Sequence, residues 1–215
     1  MIIFGVRSPL VVDLEETLLR LGVKVSAAVS VNGVPRVIDR SPLVELDAFE
    51  PEQGARFIVP AFSPERRREL VAMARELGMA LADAVLDPTA VLPRSLRVGA
   101  GSYVNAGVVI GGMSMLGEGV FVNRAASLGH HTLLADYVTI GPGATLAGNI
   151  NIGANSIVGA GATIFPHVRI GENCVVSAGS VVRKDMPDAT MVVGNPAKPM
   201  RYNPQRSSLN VEGEE

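Results

Sequence analysis

The stretch Leu128-Gly129-His130-His131-Thr132-Leu133-Leu134-Ala135-Asp136-Tyr137-Val138-Thr139-Ile140-Gly141-Pro142-Gly143-Ala144-Thr145-Leu146 decides the fold. Its aliphatic residues at 128, 134, 140 and 146 stand six apart. That spacing suits neither an amphipathic helix, with its period of 3.6, nor a half-buried strand, with its period of 2. The rhythm extends in both directions, through Leu86, Leu92, Val98, Val104, Ile110, Leu116 and Val122 before it and Ile152, Val158, Ile164, Ile170, Val176 and Val182 after it. All seventeen positions are Leu, Ile or Val. A triangular coil of three short strands satisfies the pattern. Each strand sends one aliphatic side chain inward, and Gly or Asn is expected to take the left-handed backbone at the corners. Such coils stack at the ordinary strand spacing of roughly 4.8 Å. Residues 86–187 then make about six coils with no inserted loop.

The residues before the repeat read differently. Met1–Val6 is predicted as a strand, Pro9–Leu21 as a helix capped by Gly22, Val23–Val31 as a second strand and Phe57–Phe62 as a third. Gly33–Glu50 shows no regular pattern. Ser63-Pro64 opens a helix with an N-cap and a proline in its first turn, and Gly78 ends it. Alternating strands and helices imply a small Rossmann-like α/β domain over residues 1–85. The run Arg66-Arg67-Arg68 reads as a solvated helix face. A polar tail, 201–215, is predicted to be disordered.

Composition removes several functional classes. A formal charge of −2 gives no electrostatic footprint for nucleic acid or a membrane surface. The N-terminus shows no basic segment followed by a long apolar run, so no secretory leader is read there. Val98–Gly117 and Tyr137–Val168 lack Asp, Glu, Lys and Arg, yet Gly, Asn and Pro interrupt both and both keep the six-residue rhythm. The single cysteine, Cys174, precludes a disulfide within the chain, falls at an inward small position, and fits a reducing, cytoplasmic setting.

The repeat resembles that of the hexapeptide-repeat acyltransferases, and the likeness implies a left-handed parallel β-helix. Asn123-Arg124-Ala125-Ala126-Ser127-Leu128-Gly129-His130 is similar to the N-T-x-x-x-V-x-H-[DE] segment of bacterial sialic-acid O-acetyltransferases and UDP-amino-sugar N-acetyltransferases. Ile140–Asn149 resembles their G-x-x-x-x-A-G-N segment, Asp87–Ala90 their coil start, and Gly194–Lys198 their closing G-x-P-A-K. The likeness covers residues 86–200 and extends to the N-terminal domain in layout only. It implies acyl transfer, with acetyl as the group, from acetyl-CoA to an amine or hydroxyl of a sugar-like acceptor. It also implies a homotrimer with active sites at subunit interfaces.

Such chemistry needs a base, donors for an oxyanion and a slot for the CoA arm. His130 is the candidate base. It is the third residue of its hexad and points outward, with Gly112 and Gly148 eighteen residues away on the coils below and above. The alternative is a solvated histidine beside corner glycines. By resemblance, the Gly148 amide serves the oxyanion. Thr139, Gly148, Ala160 and Ala178 line one edge for CoA, with Lys198 near its nucleotide end. Asn123, His131 and Arg7 fall on the acceptor side, and Met113 lies one coil below His131. His131 and His167 also read as plain surface residues.

Two departures from the family pattern stand out. An acidic residue usually follows the base, whereas here it is His131, which supplies no negative charge. A backbone carbonyl, a carboxylate across the interface, Asp136 or Glu118 are the open substitutes. In addition, Gly5-Val6-Arg7-Ser8-Pro9 replaces the Gly-rich turn that approaches a nucleotide diphosphate, and Pro9 offers no amide. Two other functions share this fold. A non-catalytic trimeric scaffold remains open. A γ-carbonic-anhydrase-like zinc enzyme requires histidines five apart, but Glu172 and Ala135 stand five beyond His167 and His130, and no metal is expected.

Overall fold

The computed structural model describes residues 1–201. The predicted tail therefore lies outside the described residues, Arg201 excepted. The chain adopts the expected architecture, an α/β domain followed by a left-handed parallel β-helix.

The N-terminal domain contains β1 (Ile2–Phe4), α1 (Leu10–Arg20), β2 (Ala27–Ser30), β3 (Leu43–Glu45), β4 (Arg56–Ile58), α2 (Pro64–Glu76) and β5 (Ala80–Leu81). Its strands pair in parallel in the order β3-β2-β1-β4-β5. Because successive strand residues face opposite sides, Ile3 and Ala28 pack with Leu14 and Leu18 of α1, while Phe4 and Val29 pack with Leu70 and Ala74 of α2. Ser63 caps α2 as expected, its hydroxyl accepting from the Arg66 amide at 3.4 Å. Two strands escape a periodicity reading. β3 lies within the segment that showed no pattern, and β5 has only two residues, so neither is long enough to display a period.

The coils form three walls. Strand pairing in the first wall advances from Val85 to Tyr103, Phe121, Thr139, Ile157 and Val175 in steps of 18 residues, then to Met191. The second wall stacks Val109–Ile110, Ser127–Leu128, Thr145–Leu146, Thr163–Ile164 and Val181–Val182. The third stacks Arg97–Val98, Met115–Leu116, Leu133–Leu134, Asn151–Ile152 and Arg169–Ile170. The aliphatic positions from Val104 to Val182 fill one continuous core, and Cys174 is buried within it.

Glycine and asparagine take the left-handed backbone at many corners, as at Gly143, Gly161, Gly179, Asn155 and Asn173, but other residue types share it. The glycine that directly follows the inward aliphatic residue does not take the left-handed backbone. It is needed because a Cβ would strike the next coil: at Gly129 it would lie 2.5 Å from the Ala147 carbonyl carbon, and at Gly141 2.6 Å from the Ala160 nitrogen. The left-handed residue comes two positions later. Between the second and third walls that column is Met113, His131, Asn149 and His167, with φ between 56° and 64°. Asn and His are enriched in this region, so Met113 is the unusual member of the four.

The two domains are joined by polar contacts as well as apolar ones. Val85, Tyr103 and Phe121 on the outer face of the first wall pack against the α1 side of the sheet. Arg67 corrects the solvated-face reading: it is 2% exposed. Its guanidinium donates to the carbonyls of Ala61 and Phe62, of Gly119 (2.7 Å), Tyr137 (2.9 Å) and Val138, and to the Thr139 hydroxyl (3.0 Å). Burial pushes it down to about 9, so it still carries its charge at neutral pH. No described helix is long and apolar enough to cross a membrane.

Candidate active site

His130 sits at the corner between the second and third walls, directly after the Ser127–Leu128 strand, and is exposed. Its ring leans toward the coil above. A Cβ on Gly148 would lie 2.6 Å from His130 Cε1 and Nε2, whereas one on Gly112 would meet only the Ser95 hydroxyl, at 3.7 Å. The glycine at 148 therefore makes room for the imidazole. Among the described residues, no acceptor is assigned to the Gly148 N–H.

The other ring nitrogen is engaged. His130 Nδ1 lies 3.0 Å from His131 Nδ1, with the rings nearly perpendicular at 89°. The His131 backbone has φ 56°, and its N–H donates to the Gly112 carbonyl at 2.9 Å. This pairing was not read from the sequence. Its signal was the column of corner residues eighteen apart, which includes Asn149 and marks 131 as a left-handed position whose side chain turns back along the corner.

The two carboxylates considered as partners of His130 belong to a different corner, between the third and first walls. Asp136 accepts from the Glu118 amide at 2.8 Å. Glu118 pairs with Arg75 at 3.0 Å and accepts from the Tyr137 hydroxyl at 2.8 Å. Burial and that carboxylate push the Tyr137 hydroxyl up to about 12. Neither acid is therefore a partner of His130 within one chain.

The remaining candidates are dispersed. Thr139 is fully buried in the first wall, and its hydroxyl donates to the Phe62 carbonyl at 2.9 Å while accepting from Arg67. It has no surface for a cofactor, and the expected single CoA edge is not formed within one chain. Ala160 and Ala178 stack, exposed, at the corner between the first and second walls, one wall away from Gly148. On that same edge Gly143, Gly161 and Gly179 have φ between 63° and 68°, and nothing lies within 4 Å of where a Cβ would stand. Lys198 is exposed on Lys198–Met200, the antiparallel strand that closes the first wall.

Asn123 is 4% exposed. Its side-chain oxygen accepts from Asn105 Nδ2 at 3.1 Å and from the Arg124 amide at 2.8 Å. Asn105 is tied in turn to Asp13 and Tyr103. Two asparagines eighteen apart were the available sign of this ladder. Arg7 is exposed and lies across Gly33, where a Cβ would come 2.8 Å from its Cδ. Among the described residues, no group of three or more His, Cys, Asp and Glu is placed to hold a metal ion.

The family of bacterial transferase hexapeptide repeats (six repeats) matches residues 131–166 and 149–184. No curated protein sequence matches the chain. Among solved structures, a mutant of perosamine N-acetyltransferase from Caulobacter crescentus, in complex with CoA and GDP-perosamine, is 32% identical with a TM-score of 0.83. The match covers 94% of this chain and 96% of that one. The acetyltransferase domain of PglB from Neisseria gonorrhoeae, in complex with acetyl coenzyme A, is 32% identical over 93% of this chain and 98% of that one, with a TM-score of 0.79. WeeI from Acinetobacter baumannii, 23% identical with a TM-score of 0.75 over 93% and 98% of the two chains, shares the fold. On this likeness, which runs through both domains, the chain belongs to the hexapeptide-repeat sugar acetyltransferases.

Proposed function

We propose that this protein transfers the acetyl group of acetyl-CoA to the amine of an amino sugar, in the cytoplasm, as a homotrimer with His130 as general base. The observation that carries this reading is the presentation of His130. The side chain is exposed, its Nε2 lies over a glycine, and its Nδ1 is held by a neighbour. A base must offer one free nitrogen and be oriented through the other.

His130 Nε2 takes a proton from the acceptor amine as the nitrogen attacks the thioester carbonyl. The Gly148 N–H donates to the oxygen that becomes negative. As the tetrahedral centre collapses, the carbon–sulfur bond breaks and His130 returns its proton to the departing sulfur. Preference for an amine rests on the relative bound to GDP-perosamine, which is an N-acetyltransferase. The open small-residue edge of Ala160 and Ala178 suits the narrow pantetheine arm, and Lys198 suits the nucleotide phosphates. The buried Thr139 is dropped from the cofactor set.

A seam between copies is supported by two features. The His130 corner and the Ala160–Ala178 corner stand at opposite ends of the second wall, so a second copy is needed to bring such edges face to face. In addition, Val91, Val109, Met113, Met115 and Leu133 are exposed apolar side chains on the second and third walls and the corner between them. An apolar cluster of this kind marks an association surface.

Thiol release from acetyl-CoA with a panel of free and nucleotide-linked amino sugars tests the reading. His130→Ala should lower kcat by roughly 100-fold or more with acetyl-CoA binding retained. Undiminished turnover in that variant would remove His130 from the mechanism. Absence of acetyl-CoA binding in the native protein would favour the scaffold.

A further inference from the structure

We propose that His131 is the positioning residue for His130, replacing a carboxylate with a neutral imidazole that selects the active tautomer. This inference rests on the reading of His130 as the base. The two Nδ1 atoms face each other at 3.0 Å, and a neutral imidazole carries one N–H and one bare nitrogen. One Nδ1 must donate and the other accept. When His130 donates, its Nε2 is bare, lies over Gly148 and can take a proton. When His131 donates, His130 carries its proton on Nε2 and cannot act as a base. The pair is thus a two-state element, and His131 with its proton on Nε2 holds it in the active state.

The surroundings leave that choice to the pair within the chain. The coil below offers Gly112 and Met113 and the coil above offers Gly148 and Asn149, none of them charged. The nearest titratable side chains in these two columns are Arg94 and His167, each two coils away. The corner fixes His131 through its left-handed backbone and its bond to the Gly112 carbonyl. As His130 gains a proton in the reaction, its Nδ1–H bond to His131 becomes charge-assisted and shortens. A dipole stabilises the imidazolium less than a carboxylate does, so a neutral imidazole at this position orients the base at some cost in rate.

The experiment compares His131→Ala and His131→Asp with the native enzyme and with His130→Ala. Ala125 and Ala189 already occupy left-handed corners, at φ 56° and 52°, so alanine is accommodated at such a position. Aspartate also tolerates this region. Thermal melts of each variant confirm that it folds. His131→Ala is expected to lose roughly tenfold or more in kcat, with the KM for acetyl-CoA essentially unchanged. His131→Asp should restore kcat to the native level or above it. Native kcat in His131→Ala, or no recovery in a folded His131→Asp, overturns the proposal. If His130→Ala retains turnover, the general-base reading itself fails. If only His131→Ala does, that reading stands and the positioning role falls.

Discussion

The His130 imidazole rests against the backbone of Gly148, so closely that a single methyl group there would stand 2.6 Å from Cε1 and Nε2. Gly148→Ala must therefore swing the ring off its place while leaving the coil intact, since Gly148 does not have a left-handed backbone. A displacement of about 1 Å costs a positioned catalytic group roughly 100-fold in rate. The expected result is a fall in kcat of that size with the melting temperature within a few degrees of native. A fully active variant would separate His130 from the chemistry.

The two kinds of glycine in the coils should respond differently to alanine. At Gly141 a Cβ would lie 2.6 Å from the Ala160 nitrogen and 2.9 Å from the Val158 carbonyl oxygen, and neither backbone atom can move without opening the stack. Gly141→Ala should cost about 3 kcal/mol or more. Gly143 has φ 65° with nothing within 4 Å, so Gly143→Ala carries only the left-handed penalty of about 1 kcal/mol. Urea unfolding at matched protein concentration measures both. Equal losses would refute the distinction.

Arg67 fastens α2 to the coils. Replacing it with Met keeps bulk but removes donors from the buried Gly119 and Ala61 carbonyls and the partly buried Tyr137 and Phe62 carbonyls, at an expected cost of about 3 kcal/mol or more. Arg67→Lys should recover little of this, because an ammonium cannot span acceptors arranged around a planar fork. Urea midpoints and protease cleavage between residues 76 and 100 report the loss.

Asp87 is 1% exposed at the junction of the domains. It accepts from Thr17 and Arg20, each at 2.6 Å, and from the Thr89 hydroxyl at 2.6 Å and amide at 2.9 Å. Desolvation pushes its carboxyl up, but the bonds from Thr17, Thr89 and Arg20 together outweigh it and hold the group below the usual carboxylate range. A carboxylate depressed in the folded state stabilises in full above its unfolded pKa of about 3.9, and that stability is lost as the pH falls further. Asp87→Asn should lower stability by about 2 kcal/mol at pH 7. The gap between variant and native should narrow at pH 3. A gap that stays constant between the two pH values would contradict this account.

Much of this was legible in the chain. The six-residue rhythm from Leu86 to Val182 announced the coils because one aliphatic side chain per strand must face the axis. His130 was legible as a site because glycines stand eighteen residues away on both sides. The buried role of Arg67 was not, since three consecutive arginines on a helix look solvated until a second domain covers one of them. Nor was the loss of Thr139, whose position reads like any other outward threonine.

Sequence alone determined the six-residue coil and the register of 18, because these depend on local repetition. Tertiary structure decided which outward positions remain free. Docking of the α/β sheet onto the first wall withdrew Thr139, Tyr103 and Asn123 into a hydrogen-bonded junction, and the left-handed turn at 131 brought two imidazoles into contact. Both outcomes depend on the direction in which a side chain leaves the backbone and on what packs over it, and neither quantity is written in residue spacing.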